Sequence, residues 1–334
     1  PYNDIIRKFI DMYAGRLRNQ VSFMLSACNF YMPIFEEALD AYGLPLELRY
    51  LPIIESALNP SAVSRAGASG LWQFMIGTGK IYGLESNSLV DERRDPIKAT
   101  WAAARYLKEM YDIYGDWNLV IAAYNCGPGT INKAIRRANG ETDYWKIYNY
   151  LPKETRGYVP AFIAANYVMT YYCDHNICPM ETNIPASTDT VQVNKNLHFE
   201  QIADLCNVPL DQIKSLNPQY KKHMIPGDSK PYTLRLPIDA ISTFIDKQDT
   251  IYAHRADELF RNRKTVAVKE ITPSTRKTTA AVAGKGKLTY YTIKSGDTLS
   301  TIAGKYGVTI KDIQRWNGMS NTKIAAGKRL KIYK

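Results

Sequence analysis

Between residues 2 and 173 the apolar positions recur at the three-and-four spacing of helices, and no stretch alternates convincingly in the two-residue period of a strand. The clearest helix opens at Asp95-Pro96, a capping residue followed by a proline that suits the first turn. Its apolar positions Ile97, Trp101, Ala104, Leu107, Tyr111 and Tyr114 are spaced as one stripe of an amphipathic helix, and Gly115 ends it. Further helices are expected over about 16–41, 46–56, 70–82, 117–125, 129–138 and 155–173. Gly43, Pro60, Gly83, Gly127-Pro128 and Asn139-Gly140 supply the breaks.

The pattern changes after residue 183. An internal repeat runs at an offset of 100 residues: Ile202-Ala203 matches Ile302-Ala303, Val208 matches Val308, Ile213 matches Ile313, Asn217 matches Asn317 and Gly227 matches Gly327. Val191 and Val193 correspond in type to Tyr291 and Ile293. Leu234 and Leu236 correspond to Leu330 and Ile332 after a short insertion. Each copy reads strand, helix, helix, strand. In the second copy Tyr290–Ile293 is the first strand. Asp297 is expected to cap a helix carrying Leu299, Ile302, Ala303 and Tyr306. Thr309 and Asp312 resemble a capping box for the next helix, and Leu330–Tyr333 returns as a strand. Between the copies, residues 262–287 are rich in Lys, Thr, Ala and Gly without periodicity and read as a flexible linker. Residues 238–261 read as an extension of the first copy. The expected fold is therefore a mostly α domain at 1–183, a small α+β module of βααβ type at 188–237, an extension and basic linker at 238–287, and a second βααβ module at 288–334.

Composition sharpens this only in part. With 334 residues and 45% hydrophobic content the chain can fill the cores of two or three domains, which excludes wholesale disorder. No run of 18 apolar residues occurs, so no transmembrane helix is expected. The chain opens on Pro1 with no apolar signal-type stretch. The expectation is that it starts inside a processed or trimmed protein, with any targeting segment or lipid anchor before Pro1. The net charge of +11 is unevenly distributed: residues 1–183 hold 18 Lys and Arg against 19 Asp and Glu, leaving 25 against 13 for the rest. That asymmetry suits either an anionic polymer touched by the C-terminal part or a merely solvated basic module. Of the five cysteines, none forms a Cys-x-x-Cys pair, and four unclustered histidines give no zinc-site spacing, so no metal is expected. Cys173 and Cys178 are close enough for a local disulfide or are two free thiols. Cys28, Cys126 and Cys206 read as small buried hydrophobes.

Two clusters could carry chemistry. Glu55 lies near the end of a short helix among Ile53, Ile54, Ala57 and Leu58, where desolvation would raise its pKa and suit it to general-acid work. On periodicity alone an ordinary helix-end carboxylate is the commoner outcome. Gly67 and Gly70 would let the backbone approach a ligand, and Trp72 and Gln73 offer an aromatic face and an amide, although Trp72 and Phe74 could equally be core. The second cluster, Ala122 to Gly129, ends a helix in Tyr124, Asn125 and a Gly-Pro-Gly turn. It suits hydrogen bonding to a sugar or N-acetyl group, or is simply a helix end with its glycine cap.

These residues resemble the membrane-bound lytic murein transglycosylase D family, of the soluble-lytic-transglycosylase and goose-type lysozyme group, joined to LysM modules. The resemblance rests on Glu55 through Gln73, on Ala123 through Gly129 and on Leu151 through Val159, three runs in the family's order covering about residues 1–180. The run 291–299 and Asn317 resemble LysM strongly, and 191–237 does so weakly because Asn196-Leu197 replaces the Gly-Asp pair. The resemblance implies a lysozyme-like catalytic domain in which Glu55 is the catalytic acid. Gln73, Tyr124, Asn125 and Tyr158 would line the sugar groove, and Ser64, Gly70 and Leu71 would belong to the shell around Glu55. It implies glycan binding by Gly296, Asp297, Thr298 and Asn317. Trp72 stands where many relatives carry Met, which would alter a sugar subsite.

What the resemblance implies chemically is cleavage of the β-1,4 bond between N-acetylmuramic acid and N-acetylglucosamine, with the muramic C6 hydroxyl attacking C1 and a 1,6-anhydromuramic end as product. Ordinary glycosidases need two carboxylates. Within the matched runs Glu55 is the only acid before Glu154, and intramolecular attack needs only one. The expected partner is the peptidoglycan glycan strand, with no cofactor and no nucleic acid; the expected state is a monomer in the periplasm, associated with the outer membrane. The rivals are a goose-type hydrolase, which would deliver water to the same carbon, and a non-catalytic cell-wall scaffold. The pI near 9.2 alone is a weak signal for nucleic acid.

Overall fold

The computed structural model describes residues 2–182, 184, 185, 187–260, 288–294, 297–317, 319, 322 and 324–333. The expected linker 262–287 and Gly296 lie outside the described residues. The chain divides into two compact units, Pro1–Glu270 and Ile271–Lys334.

The first unit begins with a helical body. Its helices are α1 (Asp4–Ala14), α2 (Arg18–Ala41), α3 (Leu51–Ser56), α4 (Ile76–Ile81), α5 (Pro96–Tyr114), α6 (Trp117–Cys126), α7 (Pro128–Arg137), α8 (Tyr144–Ile147) and α9 (Lys153–Thr170). α5 starts where the sequence places it: the Asp95 carboxylate accepts from the Ile97 and Lys98 amides, and Gly115 closes the helix in the left-handed region. Its buried face takes in part of the expected stripe: Ala104 and Leu107 are fully buried, and Tyr111 and Tyr114 are half-buried against the core. Ala99, Thr100, Ala103, Ala104, Leu107 and Met110 are buried, whereas Ile97 and Trp101 are 37% and 36% exposed. The small side chains let α5 pack closely against both α2 and α6, so the bulky residues are displaced to the edge. α9 lies against α1 and α6 and buries Val159, Phe162, Ala165 and Val168.

The expected helix over 70–82 is shorter than its pattern suggests. Only Ile76–Ile81 is α-helical; residues 69–74 form a tight loop in which Ser69 bridges both Val63 and Phe74. The loop is fixed by Gly70 at φ +88° and Gln73 at φ +49°, conformations that no helix contains. Trp72 is fully buried, with its indole N–H donating to Thr100 Oγ1 at 2.9 Å. It is a core residue and offers no face to a ligand.

The same unit continues through β1 (Thr188–Val193), β2 (Asn196–His198), α10 (Phe199–Cys206), α11 (Leu210–Leu216), β3 (Met224–Pro226), β4 (Tyr232–Pro237), α12 (Ile238–Asp246), α13 (Gln248–Ala253) and α14 (Ala256–Leu259). β1 pairs antiparallel with β4, Val191 facing Leu234, and β2 pairs with β3. α12 and α13 pack on this module, with Phe244 and Ile251 fully buried in its core; Leu259 on α14 is also buried. That core also takes in Leu89 and Val90 from the helical body.

The second unit is a βααβ module: β5 (Leu288–Thr292), α15 (Leu299–Tyr306), α16 (Ile310–Asn317) and β6 (Arg329–Tyr333), with Tyr291 facing Leu330. Thr298, not Asp297, caps α15, in a reciprocal pair with Thr301. The Asp297 carboxylate instead accepts from the Lys294 amide and the Tyr291 hydroxyl, both at 2.8 Å, which ties the β5–α15 turn together. Thr309 and Asp312 form the expected capping box. The repeated asparagine has one role in both copies. The Asn217 amide donates to the Ile213 and Arg235 carbonyls and accepts from the Arg235 amide; Asn317 does the same with Ile313 and Lys331. A single side chain thus staples the last turn of the second helix to the returning strand.

The five cysteines are free thiols, so Cys173 and Cys178 are not joined. Cys206 is buried and Cys28 and Cys126 are half-buried. Among the described residues no helix is long and apolar enough to cross a membrane.

Candidate active site

A cleft of about 420 Å³ opens between the α1–α2 end of the helical body and the segment 53–73. Glu55, Ser64 and Gln73 line it, with Tyr13, Gln20 and Met24 on the facing wall. Glu55 is the only carboxyl among the described residues of that lining.

Glu55 is set by the short helix α3, whose apolar residues Leu51, Pro52 and Ile53 are buried and anchor it. The helix stops at Ser56, because Ala57 and Leu58 both take left-handed backbone angles. The Ser56 hydroxyl bonds to the Pro52 carbonyl at 3.1 Å and the Leu71 carbonyl at 3.0 Å, locking helix end to loop. Glu55 is half-buried, and the Tyr158 hydroxyl on α9 donates to its Oε1. Desolvation is the largest influence on the carboxyl and pushes its pKa up to about 7. The Tyr158 hydrogen bond pulls the other way, and the charge of Glu154 in the first turn of α9 adds to the rise. Burial and the neighbouring Glu55 charge hold both Tyr124 and Tyr158 well above the ordinary phenol value, so both are neutral donors near neutral pH. A carboxyl poised near 7 beside neutral phenols can give up a proton and recover it.

The other expected residues separate into two groups. Gln73 lines the cleft while its amide donates to the Gly70 carbonyl at 2.8 Å, and the Ser64 hydroxyl accepts from the Ala68 amide at 3.0 Å. Both therefore present a cleft surface and brace the loop. Tyr124 donates to the Trp72 carbonyl at 2.7 Å, and Asn125 accepts from the Thr155 hydroxyl at 2.9 Å, joining α6 to α9. Leu71 is buried, and Gly70 faces the protein, not the cleft: a Cβ built there would lie 1.7 Å from the Arg93 carbonyl oxygen. Sequence reasoning missed Ser56, Thr155 and Arg93. The first two adjoin Glu55 and Glu154 in the runs already singled out. Arg93 sits in the charged run 91–95, of which only the Asp95 cap gave a signal.

Comparison with known proteins follows this division of the chain. Family models match as a Transglycosylase SLT domain at residues 32–147, a Lytic transglycosylase MltD, LysM-like domain at 187–253, and a LysM domain at 291–332. The chain is 31% identical to the membrane-bound lytic murein transglycosylase D of Escherichia coli (strain K12), over 99% of this chain and 69% of that protein. It is 33% identical to the soluble lytic murein transglycosylase of the same strain, over 35% of this chain and 19% of that one. Among solved structures it is similar to the 70 kDa soluble lytic transglycosylase SLT70 of Escherichia coli, with 29% identity, a TM-score of 0.38, and coverage of 43% of this chain and 24% of that one.

Proposed function

The chain belongs to the membrane-bound lytic murein transglycosylase D family, and from that premise we propose that Glu55 is first the acid and then the base of its reaction. The protein is a lytic murein transglycosylase acting on the β-1,4 bond between N-acetylmuramic acid and N-acetylglucosamine. Protonated Glu55 gives its proton to the glycosidic oxygen as the bond to muramic C1 breaks. The C6 hydroxyl of the same sugar then bonds to C1, and its proton passes to the Glu55 carboxylate. The carboxyl ends as it began, no water is consumed, and the new end is 1,6-anhydromuramic. Holding the attacking hydroxyl on the reacting ring removes the entropy of bringing in a separate nucleophile.

The observation that carries this reading is a cleft carboxyl, single among the described residues of the lining, raised to about 7 and touched by a neutral phenol. A hydrolase of the ordinary kind would need a second carboxylate to activate water. Gln73, Ser64 and Tyr158 are proposed as sugar contacts, because they face the cleft or Glu55 itself. Tyr124, Asn125, Gly70 and Leu71 are proposed to shape the groove from behind, by holding the loop and α9 in place.

Residues 1–183 are proposed as the catalytic domain and 288–334 as a glycan-binding LysM module that tethers the enzyme to its polymer. Its glycan surface is proposed to lie around Asp297 and Thr298, with Asn317 supporting it by holding β6 to α16. The relative of known function is described as membrane-bound; a periplasmic site of action at the outer membrane, held by a lipid anchor, is the proposed compartment. Digestion of purified sacculi tests the reading. Anhydro-ended muropeptides from the wild type and none from Glu55→Gln support it; reducing ends, or unchanged release by the variant, overturn it.

A further inference from the structure

The segment 85–94 has two faces, and they belong to different parts of the first unit. On one face the Arg93 guanidinium, with only 6% of its side chain exposed, donates from Nη1 to the Gly67 carbonyl at 2.8 Å and to the Phe74 carbonyl at 2.9 Å. These carbonyls lie at the two ends of the turn that holds Gly70 and Gln73. The Arg94 Nε donates to Ser69 Oγ, midway along it, at 3.1 Å. Asp91 orients the guanidinium through two bonds, at 2.9 and 2.8 Å. A bidentate pair of this kind fixes the plane of the fork, and burial removes competing water.

The other face is held by the first LysM-like module. Leu89 and Val90 are buried in the module's core beside Tyr220 and Tyr232. Val90 bridges Tyr220, the Asp91 amide donates to the Gln219 carbonyl at 2.8 Å, and the Lys221 amide donates to the Leu89 carbonyl at 2.6 Å. The Lys221 ammonium donates to the Asn87 carbonyl at 2.9 Å and stands 3.8 Å from Asp91 Oδ2. At the rim Lys230 pairs with Glu85 at 2.7 Å.

We infer that the first LysM-like module is a buttress of the catalytic loop, with Lys221 a positioning residue that acts on Gln73 and Ser64 through Asp91 and Arg93. The inference rests on the transglycosylase reading of the cleft. The loop depends on an outside hold: Gln73, a residue with a Cβ, sits at φ +49°, and a strained conformation persists only where its surroundings over-determine it. The module supplies that hold by contacts that leave the glycan cleft untouched. Displacement of a positioning group by about 1 Å is enough to reduce turnover about a hundredfold, so a partial loosening belongs in the range of several-fold.

The test uses the full chain with Lys221→Met, Lys221→Arg, Asp91→Asn, the Lys221→Met/Asp91→Asn pair, and, as a control on the same module, Lys214→Ala, a half-buried lysine that pairs with Asp211. Two readouts are taken: kcat and KM on a soluble tetrasaccharide of the glycan strand, and amide hydrogen exchange of residues 62–75. The inference expects Lys221→Met to lower kcat about five- to tenfold with KM within about twofold, and to speed exchange in 62–75. Lys221→Arg recovers most of both, and Lys214→Ala changes neither. The double variant is no slower than Asp91→Asn alone, because both substitutions act through one chain of contacts. Unaltered exchange in 62–75, a loss confined to KM, or additive losses would overturn it. Failure of the wild type to form anhydro ends would instead condemn the transglycosylase reading, while the exchange data would still decide the buttress.

Discussion

The Tyr158 hydroxyl, carried on α9, donates to Oε1 of Glu55 on α3, joining two elements 103 residues apart in the chain. The bond stabilises the ionised carboxylate and so opposes the desolvation that raises its pKa. Tyr158→Phe therefore raises the Glu55 pKa further, by on the order of one unit for a bond to a charged group. The basic limb of the kcat/KM profile moves to higher pH by that amount, and the plateau falls about tenfold. A pH–rate series on both proteins checks this; a limb displaced to lower pH would contradict it.

Glu55→Gln should trade activity for stability in a pH-dependent way. The folded-state pKa near 7 is above the ordinary carboxyl value of 4.5, so the folded protein prefers the protonated form. The stability linked to that proton is complete below the unfolded value and is lost as pH rises through about 7. The amide has no proton to lose. At pH 8 the variant is expected to be more stable by about 1–3 kcal/mol, and below pH 4.5 to show no advantage. Chemical denaturation at both pH values measures the difference.

Gly70→Ala tests the loop. The added Cβ would meet the Arg93 carbonyl oxygen at 1.7 Å, and the residue sits at φ +88°. Backbone cannot yield as a flexible side chain can, so a loss of more than about 3 kcal/mol is expected. Alanine substituted at Gly67, which also has positive φ but an open Cβ position, should cost only about 1 kcal/mol. Equal losses at the two sites would refute the close-approach argument.

Asn217→Ala removes three hydrogen bonds from a side chain that is 1% exposed and leaves two carbonyls and an amide without that partner. A cost of about 2–4 kcal/mol follows, read as a lower denaturation midpoint. Asn317→Ala should act the same way on the C-terminal module, where the bonds are repeated. A normal melting transition in both variants would leave the repeated asparagine unexplained.

Much of the fold is legible in the sequence itself. Asp95 and Gly115 bound α5 at both ends because capping is local chemistry, decided within a few residues. The apolar neighbours Ile53, Ile54 and Leu58 pointed to a desolvated Glu55, but only the family resemblance raised it above an ordinary helix-end carboxylate. The buried face of α5 was legible only in part: spacing picked out Ala104 and Leu107, but it cannot tell that Ala99 and Ala103 also face the core because two helices approach closely there. Nor was the loop at 70–75, whose left-handed residues answer to Arg93, about twenty residues further along. Arg93 itself lies in a run of five charged residues, which by composition belongs in water; its burial follows from the Gly67 and Phe74 carbonyls and from Asp91, whose own amide bonds to Gln219, 128 residues further on.

The central claim is that a single carboxyl, Glu55, drives attack by the substrate's own hydroxyl. The most direct measurement is mass spectrometry of the muropeptides released from sacculi in water labelled with heavy oxygen, with Glu55→Gln run beside the wild type. The account predicts anhydro-ended products carrying no label from the wild type, and none from the variant. Labelled reducing ends from the wild type would mean that water is the nucleophile and would contradict it.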